Sequence, residues 1–342
     1  MKLTYYKHTQ IQRNDNFLKN QSLFHFTYLP PQPLNSIAYL RGVIKDLKYH
    51  ALLHVIIFIW GFTGILGKLI HLDPYPLVWH RTWIGFAGLA IALVFLKKSL
   101  RIDSLKQLLS IAAVGIIVAL HWMTFYKSIQ LSTASLGILC LSTTTLHVTW
   151  LEPLLFKKKF SWVEFLLGLA VVYGIYFVSD EFGEKEIEAL IYGLSSAFFA
   201  ALFSVLNGQL SRRIPSHTIS LYELISAFLF LTVFLLFQGE INTELFTMRT
   251  EDFLWLLFLG IVCTSFTFLG SIALVKRLGA FTVSLSINME PVYTILLAIF
   301  ILHENTKLSV HFYTGSAIIV LVVFVNMFLK TLLLKWEKSR VE

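Results

Sequence analysis

The sequence predicts an all-α integral membrane protein, with ten transmembrane helices arranged as two inverted five-helix repeats. Of its 342 residues, 56% are hydrophobic and 14% are charged, whereas charged residues make up about a quarter of a soluble domain. Apolar runs of roughly 20 residues, the length that crosses a bilayer, recur from His50 to Leu332. Ten spans divide into five and five, and an odd number in each half gives the halves opposite membrane orientations.

The predicted spans follow one another with short connections, so consecutive helices should be antiparallel and no soluble domain fits between them. They cover residues 50–71, 77–97, 108–127, 134–156, 161–179, 189–209, 217–237, 253–275, 280–302 and 310–332. We therefore predict a first repeat over 48–186, a second over 187–333 and a basic cytoplasmic tail over 334–342. Residues 1–47 are predicted to be either a disordered cytoplasmic tail or an upstream extension of the gene model.

The distribution of basic residues predicts the orientation of the chain. Most of the 28 Lys and Arg residues lie in the tails and in alternate connections, and basic residues favour the cytoplasmic side. The opposite side receives Lys68, Lys127, Lys185, Arg249 and Lys307. We therefore expect a multi-pass protein of the cell (inner) membrane with both termini in the cytoplasm, and we interpret the net charge of +8 as an orientation signal rather than a nucleic-acid site.

Weak internal similarity supports the repeat. Pairing Gly168 with Gly315 also aligns Thr144 with Pro291 and Thr143 with Glu290. The fourth and ninth spans would then be counterparts. Inverted repeats are typical of alternating-access transporters, whose substrate site lies near the bilayer midplane at the repeat interface.

The ninth span carries the deepest predicted charge. Glu290 lies roughly 15 Å into the span at about 1.5 Å per residue, and Pro291 should bend the helix there. Ser286 and Tyr293 share the face of Glu290, and Asn288 lies to one side. An acid within a span suggests a substrate or proton site. The alternative is a structural polar stripe that packs on a neighbouring helix.

Further candidate residues lie in other spans. Arg81 and Glu223 lie about one and a half turns inside the second and seventh spans, where Arg81 is either an interfacial anchor or a substrate or ion partner. His121 either relays protons or hydrogen-bonds across helices. The fourth span, with Thr143 and Thr144, is too polar to face lipid.

Trp60 completes the candidate set. It precedes Gly61, Gly64 and Gly67, which give the first span a small-residue face suited to close helix packing.

Enzyme chemistry finds little support in the sequence. Cys140 and Cys263 lie inside apolar runs and form no CxxC motif. His303 and Glu304 begin an HExxH pattern, but Lys307 stands at the second histidine position. We predict no catalytic residues, no metal site, no cofactor and no nucleotide motif.

The chain resembles members of the drug/metabolite transporter superfamily, of the EamA type, over about residues 50–332. The resemblance is carried by the Trp60-Gly61 pair, Arg81 after Pro74 and Pro76, the Glu290-Pro291-Val292-Tyr293 element, Glu304, Gly315, and His121-Trp122. It implies two inverted repeats around a central cavity and the export of amino acids, metabolites or toxic compounds. Thr144 stands where many relatives have proline, so the two halves are not expected to bend identically.

We therefore expect a secondary transporter that exports a small metabolite, such as an amino acid or a related polar or amphipathic compound, with or without proton coupling. The alternatives are an uptake carrier and a nonspecific channel or scramblase. The expected partners are the small-molecule substrate, the lipid bilayer and protons, and the chain acts alone or as a homodimer.

Overall fold

The structure is a computed structural model that describes residues 36–157, 159–178, 183–278, 283, 286–287, 289–306 and 308–341. The chain divides into two compact units, Met1–Lys45 and Asp46–Glu342, and the helices that follow α1 all belong to the second. The prediction for the N-terminal tail lies outside the described residues as far as residue 35, and the first helix begins at Ser36.

Every regular element in the described part of the chain is helical, as the sequence predicts. The helices are α1 (Ser36–Leu69), α2 (Pro74–Phe95), α3 (Leu105–Leu131), α4 (Ala134–Leu141), α5 (Thr144–Phe156), α6 (Trp162–Val178), α7 (Glu184–Leu210), α8 (Ser216–Gln238), α9 (Thr243–Phe246), α10 (Thr250–Leu257), a π-helix (Phe258–Phe266), α11 (Thr267–Leu278), α12 (Glu290–Leu302), a 3₁₀ turn (Glu304–Thr306) and α13 (Val310–Val341).

Seven helical segments among the described residues are long and apolar enough to cross a membrane. They are Leu47–Leu69, Pro74–Phe95, Leu105–Leu131, Ala134–Phe156, Glu184–Leu210, Ser216–Gln238 and Thr250–Ser271. Shorter apolar helices occupy the places of the fifth, ninth and tenth predicted spans. Large apolar side chains such as Phe95, Phe237 and Phe300 are exposed, as expected where a surface faces lipid. The chain is therefore a multi-pass membrane protein, and the count of ten spans stays a prediction.

The fourth predicted span is interrupted rather than continuous. Helix α4 ends at Leu141 and α5 begins at Thr144. Between them, the Ser142 and Thr143 amides donate to carbonyls three residues back at 3.0 Å, and the Thr143 hydroxyl donates to the Cys140 carbonyl at 2.7 Å. Hydroxyl side chains that bond their own backbone compete with the helical ladder. The run of Ser and Thr thus ends the helix without a proline.

The eighth predicted span is also irregular, because a π-helix lies at its centre. The hydroxyls of Thr264 and Ser265 donate to the carbonyls of Leu259 and Gly260, five residues back, at 2.9 and 3.0 Å. Ser265 also donates to the Gly85 carbonyl of α2 at 2.8 Å. A π-helix widens the backbone and often marks a functional site, and this one packs against α2.

Small residues let several helices approach closely. A Cβ atom added to Gly315 of α13 would lie 2.3 Å from the Gly174 carbonyl oxygen of α6. A Cβ added to Gly61 of α1 would lie 3.0 Å from the Thr294 hydroxyl of α12. The Gly61 contact confirms that the glycine face of the first span packs against a neighbouring helix.

We expect Gly315→Ala to lower the stability of the protein by about 1–3 kcal/mol, because the added methyl group forces two packed backbones apart. Gly208→Ala is the matched control, since a Cβ added to Gly208 would have nothing within 4 Å. In the helix interior, that change should raise stability by up to about 1 kcal/mol. Thermal unfolding of both variants in the same detergent measures the difference. Equal melting temperatures would contradict close packing of α6 and α13.

Candidate functional site

The side chain of Arg81 lies inside the helix bundle, with 5% of its surface exposed. Its Nε donates to the Thr264 hydroxyl of the π-helix at 3.2 Å, and its Nη1 donates to the Tyr126 hydroxyl of α3 at 3.0 Å. The guanidinium carbon also lies 3.9 Å from the centre of the Trp122 ring. Arg81 therefore links α2, α3 and the π-helix, which favours a role at a site over the alternative of an interfacial anchor.

The guanidinium of Arg81 is held by neutral groups. Its described hydrogen-bond acceptors are two hydroxyls, and a guanidinium carries five N–H donors. The Trp122 face adds a cation–π attraction, which is strongest where water is excluded. A guanidinium held in this way retains N–H donors that none of the described hydrogen bonds uses, and these remain for an anionic ligand.

Glu290 is the acid that interacts electrostatically with Arg81. It is the first residue of α12, after the N-cap Met289. A carboxylate at a helix N-terminus is stabilised by the helix dipole and by unpaired backbone N–H groups. Glu290 and Arg81 thus place opposite charges near each other inside the bundle.

Pro291 begins a helix instead of bending one, which corrects the prediction. It stands in the first turn of α12, where its missing N–H removes no helical hydrogen bond. One turn later, Thr294 donates to the carbonyls of Glu290 and Gly61, both at 3.0 Å. The start of α12 is therefore tied to α1.

His121 hydrogen-bonds across helices, which was the second of its two predicted roles. Its Nδ1 lies 3.0 Å from the Ser196 carbonyl oxygen and 2.9 Å from the Ser196 hydroxyl of α7. The ring also interacts electrostatically with Arg81. His121 thus joins α3 to α7 beside the Arg81 site.

The remaining predicted residues surround the site or lie apart from it. Trp60 donates to the Thr267 hydroxyl of α11 at 2.9 Å, and the Tyr293 hydroxyl pairs with His54 Nδ1 of α1 at 2.8 Å. The Ser286 carbonyl accepts from the Met289 amide at 2.9 Å. The contacts of Trp60 and Tyr293 hold α1 against the second half of the chain.

Thr143 is buried at the break between α4 and α5. The Thr144 hydroxyl donates to the Ala197 carbonyl of α7 at 3.4 Å. Glu223 is buried on α8 and contacts Asn207 rather than Arg81. The prediction for Asn288 lies outside the described residues.

A cavity of about 470 Å³ opens at the end of the bundle that carries the α1–α2 and α8–α9 connections. Its lining is polar and charged, and includes Lys68, Asp73, Gln130, Glu240 and Glu244. Gly67 also lines it, and a Cβ added there would lie 2.8 Å from the Tyr126 ring. Tyr126, which hydrogen-bonds Arg81, therefore packs against a residue of the cavity lining.

An ion pair stabilises the rim of this cavity. Arg249 Nε donates to the Asp252 carboxylate at 2.9 Å, and the backbone amide of His71 donates to the same carboxylate at 2.9 Å. Arg249 Nη2 also contacts His71 Nδ1. The hydrogen bond to Asp252 raises the pKa of Arg249 above its usual value, so this side chain stays charged. The network joins the α1–α2 connection to α10.

Sequence reasoning did not assign a site role to Tyr126, Trp122 or Thr264. Trp122 and Tyr126 are spaced by four residues, which places them on one face of a helix. That spacing does not show which residue they face. Nothing in the sequence of the eighth span distinguishes Thr264 as a site residue, because the span is apolar along its length.

The fold and the buried charges define a multi-pass helical membrane protein with a polar site enclosed within its bundle. The sequence profile of the EamA-like transporter family matches residues 47–180 and again 187–328. The chain belongs to this family.

The chain is similar to two curated relatives, both described as uncharacterized transporters. One, from Archaeoglobus fulgidus, is 23% identical over 264 residues, which cover 75% of this chain and 90% of that protein. The other, YoaV from Bacillus subtilis, is 23% identical over 287 residues, which cover 79% and 93% of the two chains. In fold, the chain is similar to a protein of known crystal structure with a TM-score of 0.59 at 14% identity, over 82% of this chain and 98% of that one.

Proposed function

We propose that the protein is a secondary transporter of the cell (inner) membrane that exports a small polar or amphipathic metabolite, such as an amino acid, by alternating access. The observation that carries this proposal is the pair of opposite charges formed by Arg81, which is buried, and Glu290, which interacts electrostatically with it. Charged side chains inside a membrane bundle are expensive and generally serve a substrate or ion. Both termini lie in the cytoplasm under this proposal, in accordance with the distribution of basic residues.

The proposed architecture is two inverted repeats, 48–186 and 187–333. Two matches to the family profile support it. Two helix starts also support it: with Gly168 paired to Gly315, Thr144 aligns with Pro291, and these residues lie in the first turns of α5 and α12. Broken helices at corresponding positions of the two halves are the usual pointer to a transporter binding site.

The substrate class follows from the charges. The free donors of Arg81 suit a carboxylate, which guanidinium groups bind through paired hydrogen bonds. Glu290 suits an ammonium group of the same molecule. A zwitterion therefore satisfies both charges at once.

Alternating access then depends on contacts between the repeats. Arg81 and Tyr126 belong to the first repeat, and Thr264 belongs to the second. A rocking motion of one repeat against the other must break or remake the Arg81–Thr264 bond. Bound substrate would replace this bond and so favour the change of state.

The first test is the metabolite profile of the medium around cells that overproduce the wild-type protein, with Glu290→Gln at matched membrane levels. We expect particular metabolites to accumulate outside with the wild type alone. Saturable, stereoselective flux of those metabolites into liposomes would separate a carrier from a channel or scramblase. Identical profiles would contradict export through this site.

We expect Tyr126→Phe to reduce the transport rate about three- to tenfold, since one hydrogen bond contributes roughly 0.5–1.5 kcal/mol. The phenylalanine ring keeps the packing against Gly67, so protein levels should be unchanged. Initial flux rates in liposomes measure the effect. Tyr173→Phe is the control, because its ring is exposed on α6. An equal loss in both variants would remove Tyr126 from the proposed site.

A further inference from the structure

A second buried acid lies apart from the Arg81 site. Glu223 of α8 is 4% exposed. It lies near the beginning of α8, roughly 25 Å along the helix from Glu240 of the cavity at about 1.5 Å per residue. Arg81 interacts with Glu290, His121, Tyr126 and Cys263, but Glu223 shows no interaction with it. Glu223 therefore belongs to a different polar site.

The close neighbour of the Glu223 carboxyl is the side-chain amide of Asn207 on α7. Glu223 Oε1 and Asn207 Oδ1 are both sealed from solvent, and neither has a hydrogen-bond partner among the described residues. Both atoms are acceptors when the acid is ionised. Each buried acceptor that lacks a hydrogen bond costs folding free energy, and here two such acceptors belong to neighbouring groups.

A single proton on the Glu223 carboxyl would supply the missing hydrogen bond of both acceptors. A protonated carboxyl group carries an O–H donor, and the amide oxygen of Asn207 can accept it, while the amide N–H₂ donates in return. Carboxylic acid and primary amide then pair through two complementary hydrogen bonds. The ionised acid would instead be a buried charge with a single donor.

The surrounding helices bury this pair, and their described side chains provide no counter-charge. Helix α8 packs against α2, α3 and α11. On α3 the neighbour is Gly115, where an added Cβ would lie 2.5 Å from the Glu223 carbonyl oxygen, so the two backbones touch. On α2 the charged group is Arg81, directed elsewhere, and on α11 the guanidinium of Arg277 lies near the Tyr49 ring. Among the described groups, none with a charge interacts with Glu223.

We infer that Glu223 and Asn207 form a proton-binding site, separate from Arg81 and Glu290, in which a protonated Glu223 carboxyl pairs with the Asn207 amide and so links α7 to α8. Binding forms an O–H bond between a proton from water and the Glu223 carboxylate. Release leaves a charge in the sealed contact between α3, α7 and α8. Ionisation therefore opens this contact to water.

Infrared spectroscopy of the full-length protein in lipid bilayers at neutral pH tests this site. We expect a carbonyl stretch of a protonated carboxylic acid that shifts in D₂O and is absent from Glu223→Gln. The new glutamine side chain of that variant pairs with Asn207 as an amide, so the variant should fold. Glu290→Gln is the matched control and should retain the band. A wild-type spectrum without the band, or a band that survives in Glu223→Gln, would overturn the inference.

A second variant keeps the inference testable if Glu223→Gln fails to fold. Asn207→Leu removes the amide, so the same band should move to higher frequency as its carbonyl loses a hydrogen bond. An unmoved band would show that Asn207 is not the partner of the acid. Neither measurement uses transport, so failure of this inference and failure of the proposed export are distinguishable.

Discussion

Replacing Arg81 with glutamine should reduce substrate flux about 100-fold while the protein still inserts at normal levels. Hydrogen bonds to a charged group contribute roughly 1.5–3 kcal/mol each, and every 1.4 kcal/mol is about tenfold in affinity. The glutamine side chain also lacks the charge that attracts an anionic group to the site. Initial rates in liposomes, at saturating and limiting substrate, measure the loss.

Two further variants make this result specific. Arg81→Lys keeps the charge but loses the planar fork, so we expect an intermediate rate. Arg101→Gln is the matched control, because Arg101 is exposed and pairs with exposed Asp103. Wild-type flux in Arg81→Gln would place the substrate elsewhere. Wild-type flux in Arg81→Lys alone would show that charge suffices.

Replacing Glu290 with glutamine should abolish accumulation driven by a proton gradient. A gradient of one pH unit stores about 1.4 kcal/mol per proton, which supports about tenfold accumulation for one proton per cycle. In proteoliposomes with an acidic lumen, we expect the wild type to accumulate substrate to this ratio. We expect Glu290→Gln to reach equal concentrations on both sides, because its side chain does not exchange a proton.

The control for this experiment is Glu251→Gln, since Glu251 is an exposed acid in the first turn of α10. It should accumulate substrate as the wild type does. Gradient-driven accumulation that persists in Glu290→Gln would show that another group couples transport to protons. Loss of all flux would instead assign Glu290 to substrate binding alone.

Helical periodicity and hydropathy predicted the class of protein well, because lipid imposes a simple rule. A backbone without water to bond must satisfy itself within each segment, so long apolar runs become helices. The same reasoning failed at two interruptions. Hydropathy does not register the break between Leu141 and Thr144, nor the π-helix at Phe258–Phe266, because hydroxyl side chains that bond their own backbone remain compatible with an apolar average.

The candidate site was predicted in part. Arg81 and Glu290 stood out because isolated charges within apolar sequence are conspicuous, and they interact in the structure. Their neutral partners did not stand out, since Tyr126 and Thr264 are ordinary residues of transmembrane helices. The bend predicted at Pro291 was wrong, because α12 begins at Glu290 and Pro291 stands in its first turn.

The sequence by itself determined that the chain is a helical membrane protein, and it singled out its buried charges. Those properties depend on local composition, because the composition of a segment determines the free energy of its transfer from water into the bilayer. The tertiary structure alone decided which charges meet: Arg81 lies near Glu290, whereas Glu223 contacts Asn207. The side chains that contact these charges come from helices far apart in the chain. Their proximity depends on close helix packing at small residues such as Gly115. The spacing of residues along the sequence does not reveal that packing.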